Sequence, residues 1–274
     1  MRRIMMAGAA ATALLFGVSG AFAKPDPMQL VEPISQYKLY VIDQVGVLLK
    51  DTTAFADAIK AGDLAKAKTL YGPSRIAYER IEPLAELFSD LDGSIDSRAD
   101  DHEQAEKDPG FTGFHRLEYG LFVGNSTEGL APIADKLVAD VTELQARIKD
   151  LTTPPDKVVG GAAALIEEVA ASKISGEEDR YARTDLYDFQ ANVDGAQKIV
   201  ELLRPLLTKE NPDLLAKIEA NFTTVNDILA KYKTADGGFE SYEKLTEADR
   251  NALKAPVTTL AEDLSQLRGT LGLD

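Results

Sequence analysis

From Leu30 to the C-terminus, apolar residues recur at spacings of three and four, the period of a helix that buries one face. Runs of strict apolar and polar alternation are nearly absent. The pattern predicts helices over 29–61, 64–91, 114–121, 130–151, 157–173, 185–207, 213–232 and 247–271, and no strand. The breaks have their own chemistry: Ala61-Gly62-Asp63 separates the first two helices, Thr152-Thr153-Pro154-Pro155 forms a linker, Asn211-Pro212-Asp213 opens a helix and Asp236-Gly237-Gly238 closes one. Thr246 and Asp249 have the spacing of a capping box, with Asp in place of the usual Glu or Gln. Helices of this length joined by short turns pack antiparallel, and the double proline divides them into two sets of four. The expectation is an all-α protein of two packed four-helix bundles, residues 24–152 and 153–274.

Residues 1–23 break this pattern. Arg2 and Arg3 precede an apolar stretch rich in small residues that ends in Ala21-Phe22-Ala23, the arrangement of a cleaved export signal. The apolar run is shorter than the roughly 20 residues that a spanning helix needs. Cleavage is expected after Ala23, which gives a soluble periplasmic protein.

Composition narrows the chemistry. The chain of 274 residues has 45 Asp and Glu against 30 Lys and Arg, a net charge of -15, two His and no Cys. That balance argues against a nucleic-acid partner, because such affinity rests on clustered basic residues. The lack of Cys excludes disulfides, thiolate metal sites and a lipid-anchored N-terminus. Any metal site must be mostly oxygen, which favours hard cations.

His115 and Glu118, three apart on a predicted helix, share a face and could close on one ion. The pair echoes, in reverse order, the Glu-x-x-His pairs of bundle-core metal proteins. Glu79 and Glu82 repeat the spacing just before Pro83, which should kink or open its helix. An acid-rich irregular segment, 90–113, follows, and from it Asp96 could complete the set. In the second half, Glu178 of Ser175-Gly176-Glu177-Glu178-Asp179 is the best further ligand, while Asp185 could cap a helix. His102, among Asp101, Glu103 and Glu106, is expected to be solvated. Converging buried carboxylates would repel one another, and a cation is the simplest neutraliser. AYERIEP around Glu79 and RTDLYDFQANVDG around Asp185 each set acids beside an aromatic, which suggests duplication without establishing it.

Three long stretches, LYGPSRIAYERIEPLAELFSDLDGSID, FTGFHRLEYGLF and KISGEEDRYARTDLYDFQANVDG, resemble the imelysin-like family, specifically the EfeO-type periplasmic components of bacterial iron uptake. The resemblance spans nearly all of the chain after the leader. It implies a pair of four-helix bundles and a metal site on His115 and Glu118 with Glu82 and Asp96, and less securely Glu79. It also implies work alongside an inner-membrane iron permease and a periplasmic oxidase. Full-length members carry an N-terminal cupredoxin-like domain. Here the helical pattern starts close behind the predicted cleavage point, so the expectation is the short form. The ion's identity stays open between iron, zinc, copper and calcium. A peptidase role, suggested for the family by the H-x-x-E motif, is not expected, because a zinc hydrolase normally needs three protein ligands and a general base.

The alternative function is binding of an acidic polysaccharide such as alginate, directly or bridged by a divalent cation. Its candidate residues are Lys66, Lys68, Arg75 and Arg80 along one helical region, with Tyr71, Tyr78, Tyr181 and Tyr187 as an aromatic lining. The protein's net charge opposes it.

Overall fold

The structure, a computed structural model, describes residues 26–274; the expected leader and its cleavage point lie outside the described residues. A first group of helices comprises α1 (Val31–Lys60), α2 (Leu64–Ala85) and α5 (Ala131–Asp150), with the short α3 (Ser89–Ile95) and α4 (Gly113–Glu118) between α2 and α5. The second group comprises α6 (Pro155–Ala171), α7 (Asp185–Glu210), α8 (Pro212–Leu229) and α9 (Glu247–Ser265), followed by the short α10 (Leu267–Thr270). Helix α1 packs on α2 and α5, and α6 through α9 pack on one another. The groups meet chiefly where α2 lies along α7. Among the described residues there is no strand, only an isolated bridge between Lys233 and Phe239, and no helix is long and apolar enough to cross a membrane.

The periodicity located the long helices well, and the departures have local causes. The first group contains three long helices rather than four: over 114–121, α4 gives way after Glu118 to a π-helical turn, Tyr119–Val123. The helix expected to reach residue 91 stops at Ala85, and a turn leads into α3. Helix α2 runs through Pro83, whose ring nitrogen cannot donate to the carbonyl of Glu79 one turn back. Asn192 of α7 supplies the missing donor, with its Nδ2 2.9 Å from the Glu79 carbonyl oxygen. The capping box is half made: Thr246 Oγ1 accepts from the Asp249 amide at 3.0 Å, but the Thr246 amide donates to the Tyr232 hydroxyl instead.

Helix α2 is the central element. From Tyr71 to Ala85 nearly every residue is buried, because α1 covers one side and α6 and α7 the other. Its apolar members, such as Ile81 and Leu84, fill the common core. At Gly195 of α7 a β-carbon would lie 2.5 Å from the Arg80 carbonyl oxygen, so the close approach of the two helices depends on glycine there. Polar groups on α2 therefore sit inside the protein and must find partners there.

Candidate metal centre

Tyr71, Arg75, Glu79 and Glu82 follow one another at helical spacing along the face of α2 that meets α7, and Asp185, Asp188 and Asn192 do the same on α7. The two acid-rich motifs of the sequence thus pack against each other. The segment between α6 and α7 adds Lys173, Glu178 and Asp179, Asp96 follows α3, and α4 brings His115 and Glu118. All are buried except Asp96, whose side chain is 12% exposed.

Arg75 is fully buried at the centre. Its Nη1 binds Asp96, its Nη2 donates to Glu79 at 2.5 Å and Glu178 at 2.9 Å, and its Nε lies 3.3 Å from Asp188 and 3.5 Å from Asp179. Lys173 is the second buried cation, 2.9 Å from Glu79 and 2.8 Å from Glu168. Glu82 accepts from Asn192 Nδ2 at 3.1 Å. Glu79 and Glu82 therefore occupy a Lys173 arm of the cluster that adjoins the histidine.

His115 has two distinct sides. On one, Nδ1 lies 3.2 Å from Glu118 Oε2 and 3.4 Å from the Tyr71 hydroxyl, which itself donates to Asp179 at 2.9 Å. On the other, Nε2 is buried without a hydrogen-bond partner. It points between Asp96 Oδ1 and Glu178 Oε1, each 3.7 Å away, too far for a hydrogen bond and suitably placed to share an ion. Among the described residues two triads could hold a cation, Asp96 with His115 and Glu178, or His115 with Glu118 and Asp179. The second is already satisfied by hydrogen bonds, since Glu118 Oε1 also accepts from the amides of Tyr181 and Ala182, both at 2.8 Å. On the Nε2 side the ring nitrogen itself is without a partner, although Asp96 Oδ1 and Glu178 Oε1 both accept from Arg75. There Glu118 stands behind the ring, fixing its orientation, as second-layer carboxylates do at metal-bound histidines.

Backbone geometry holds Asp96 beside His115. Gly113 opens α4 with φ +74°, and a β-carbon there would fall 2.1 Å from the Ile95 carbonyl oxygen. Thr112 Oγ1 donates to the Ser94 carbonyl at 2.9 Å. The end of α3 and the start of α4 are thereby locked together.

The electrostatics are those of an acid-rich interior with too few cations. Burial, partly offset by Lys173 and Arg75, pushes Glu79 up to about 7. Burial and the neighbouring Asp179 push Asp185 up to about 7. Burial likewise raises Glu82, Glu118 and Asp188. Glu178 is the exception: burial works against its charge, but Lys173, His115 and Arg75 outweigh it and hold the carboxyl well below the usual range. For His115, burial and Arg75 favour the neutral ring, yet Glu118, Glu178 and Asp96 prevail and raise it to about 10. Without a bound cation, the carboxylates around the ring favour its charged form.

His102 lies apart, half-buried, with Nε2 2.9 Å from Ser97 Oγ. The basic and aromatic set proposed for a polysaccharide does not form one surface. Arg75, Tyr71 and Tyr78 are fully buried, because helices surround this part of α2, and so cannot line a binding face. Lys68 is bound to Asn125, Arg80 is paired with Asp194, Tyr181 donates to Glu106, and Tyr187 packs edge-on against Phe239. The sequence reading missed Arg75 as an internal cation, together with Lys173, Asp179, Asp188 and Asn192. Arg75 and Glu79 do carry an i, i+4 signal. Lys173 carries none, since a lysine at a helix end is ordinarily solvated.

The imelysin family model, also labelled peptidase M75, matches residues 33–267. The "Iron uptake system component EfeO" of Yersinia pseudotuberculosis is 68% identical over 251 residues, which covers 92% of this chain and 67% of that protein. The Escherichia coli O1:K1 protein of the same name is 68% identical over 241 residues, 88% of this chain and 64% of its own length. The chain spans about two thirds of the length of these relatives, which are named as uptake components and not as peptidases. A match across nearly all of the described residues, with two thirds of positions identical, makes the chain a member of the imelysin family, of the EfeO type.

Proposed function

We propose that the protein is a periplasmic iron-binding component of an EfeO-type uptake system, which captures the ion and passes it to an inner-membrane permease. A separate periplasmic oxidase would supply ferric ion where the source is ferrous. The observation that carries this reading is the unpartnered Nε2 of buried His115, aimed between Asp96 and Glu178. One imidazole and several carboxylates suit a hard, highly charged cation, and ferric iron answers the local excess of acid best. Iron is cargo here: Asp96 and Glu178 would hold it with His115, Glu118 would orient the ring, and Arg75 would brace both carboxylates. Binding requires His115 to give up its Nε2 proton, so capture releases protons and is reversible by acid.

Calorimetry with ferric citrate, and with zinc, copper and calcium as competitors, tests the assignment on the wild type and on His115→Ala. Ferric binding that falls by about 100-fold in the variant supports it. Identical heats for the two proteins would sink it, and tighter binding of a competitor would reassign the cargo.

A further inference from the structure

Two cavities lie close to His115. The larger one, of about 310 Å³, is an acidic cleft whose lining includes Glu82, Glu86, Asp92, Asp96 and Glu168. The smaller one, of about 10 Å³, has room for about one water and is lined in part by His115 and Glu118. Only two residues line both, Arg98 and Glu178, and they are paired, with Arg98 Nη1 2.7 Å from Glu178 Oε2. This ion pair stands between the two cavities, beside the Nε2 face of His115.

We propose that Arg98 is a cationic gate: its guanidinium holds Glu178 through Oε2 in the free protein, and an incoming ion reaches Oε1 and His115 by displacing it. The idea rests on the reading of His115 as the ion's ligand. Arg98 is the one basic residue in the lining of an otherwise acidic cleft, so it is the natural competitor for a cation there. Its backbone is fixed, with the Arg98 amide donating to Asp101 Oδ2 at 2.8 Å. Its side chain is 34% exposed on the cleft, in contrast to the fully buried Arg75. Glu168 and Asp101, on the same cleft, can receive the displaced guanidinium. One positive charge then replaces another at Glu178, while Arg75 keeps its own hold on that carboxylate. The two arginines divide the work: Arg75 stays as a brace, and Arg98 moves.

The test is stopped-flow quenching of tyrosine fluorescence by ferric citrate, since the chain has nine Tyr and no Trp. Arg98→Gln, which removes the competing charge, should bind about 10-fold faster and more tightly than the wild type, and Arg98→Lys should restore rates near wild type. Circular dichroism confirms that each variant is folded. His115-dependent binding that Arg98→Gln leaves unchanged, slows or weakens would overturn the gate while leaving the site in place. Binding that is equal in the wild type and His115→Ala would instead overturn the site, and the gate with it.

Discussion

Glu118, from the first helical group, accepts hydrogen bonds from the backbone amides of Tyr181 and Ala182, in the segment leading into α7, both at 2.8 Å. The motif carboxylate is thus a latch between the halves of the chain as well as a neighbour of His115. Glu118→Ala should leave two amides without their acceptor and cost about 2 kcal/mol or more in chemical denaturation. Glu118→Gln keeps an acceptor and should cost less, while still weakening ferric binding by about 10-fold or more through misorientation of the ring. Equal stability of the two variants would contradict the latch.

Gly113 is needed for both its backbone angle and its space. Gly113→Ala sets a methyl group against the Ile95 carbonyl and forces Asp96 away from His115. The expected loss is about 2 kcal/mol or more of stability. A fall in ferric affinity should accompany it, measured by chelator competition on whatever fraction folds. Unchanged affinity and stability would show that the α3 to α4 junction does not set the spacing.

The pH dependence has a definite sign. Glu79 and Asp185, raised to about 7, bind protons more tightly in the folded than in the unfolded chain. Their stabilising effect is complete below the ordinary carboxyl values of 4.5 and 3.8 and fades as the pH rises through 7. That of His115 is complete below 6.5 and fades as the pH rises through about 10. Glu178 acts in the opposite sense, adding stability above 4.5 that is lost as acid titrates it. The metal-free protein should therefore melt roughly 5 °C lower at pH 8 than at pH 5.5. Ferric ion, which replaces protons, should flatten or reverse the slope. Calorimetric scans of both forms across this range check it, and a metal-free Tm that climbs toward pH 8 would refute it.

Lys173 is buried between Glu79 and Glu168, with Glu178 at 3.9 Å. Lys173→Met removes the cation and leaves its carboxylates facing one another, a loss of about 3–5 kcal/mol. Combining it with Glu79→Gln should recover part of that loss in a double-mutant cycle. Strict additivity would show that the pair does not interact.

Periodicity made the long helices legible because one apolar face per 3.6 residues is a property of each segment alone. The ligand types were equally legible: with two His in the chain, His115 and its neighbouring acids stood out. The pairing of the acids was not, because it depends on contacts made across long sequence separations. Asn192 answers a carbonyl freed by Pro83 more than a hundred residues earlier, and nothing local to either residue announces it. Glu79 and Glu82 share a face with Arg75 as their spacing indicates, but Lys173 draws them to its own side of the cluster. Arg75 and Tyr78 looked like surface residues because charge and a hydroxyl usually mean water. On a helix walled in on all sides they mean an internal network.

The close packing of α2 on α7 has a consequence for traffic. At Gly195 the helices nearly touch, and Tyr71 is tied to Asp179 at 2.9 Å, so the carboxylate cluster is closed along its inner wall. The two cavities that reach it both lie on the side of the Asp96 to Asp101 segment. On the proposed function, an ion held at His115 would load and leave on that side, and a recipient would address that stretch of the surface.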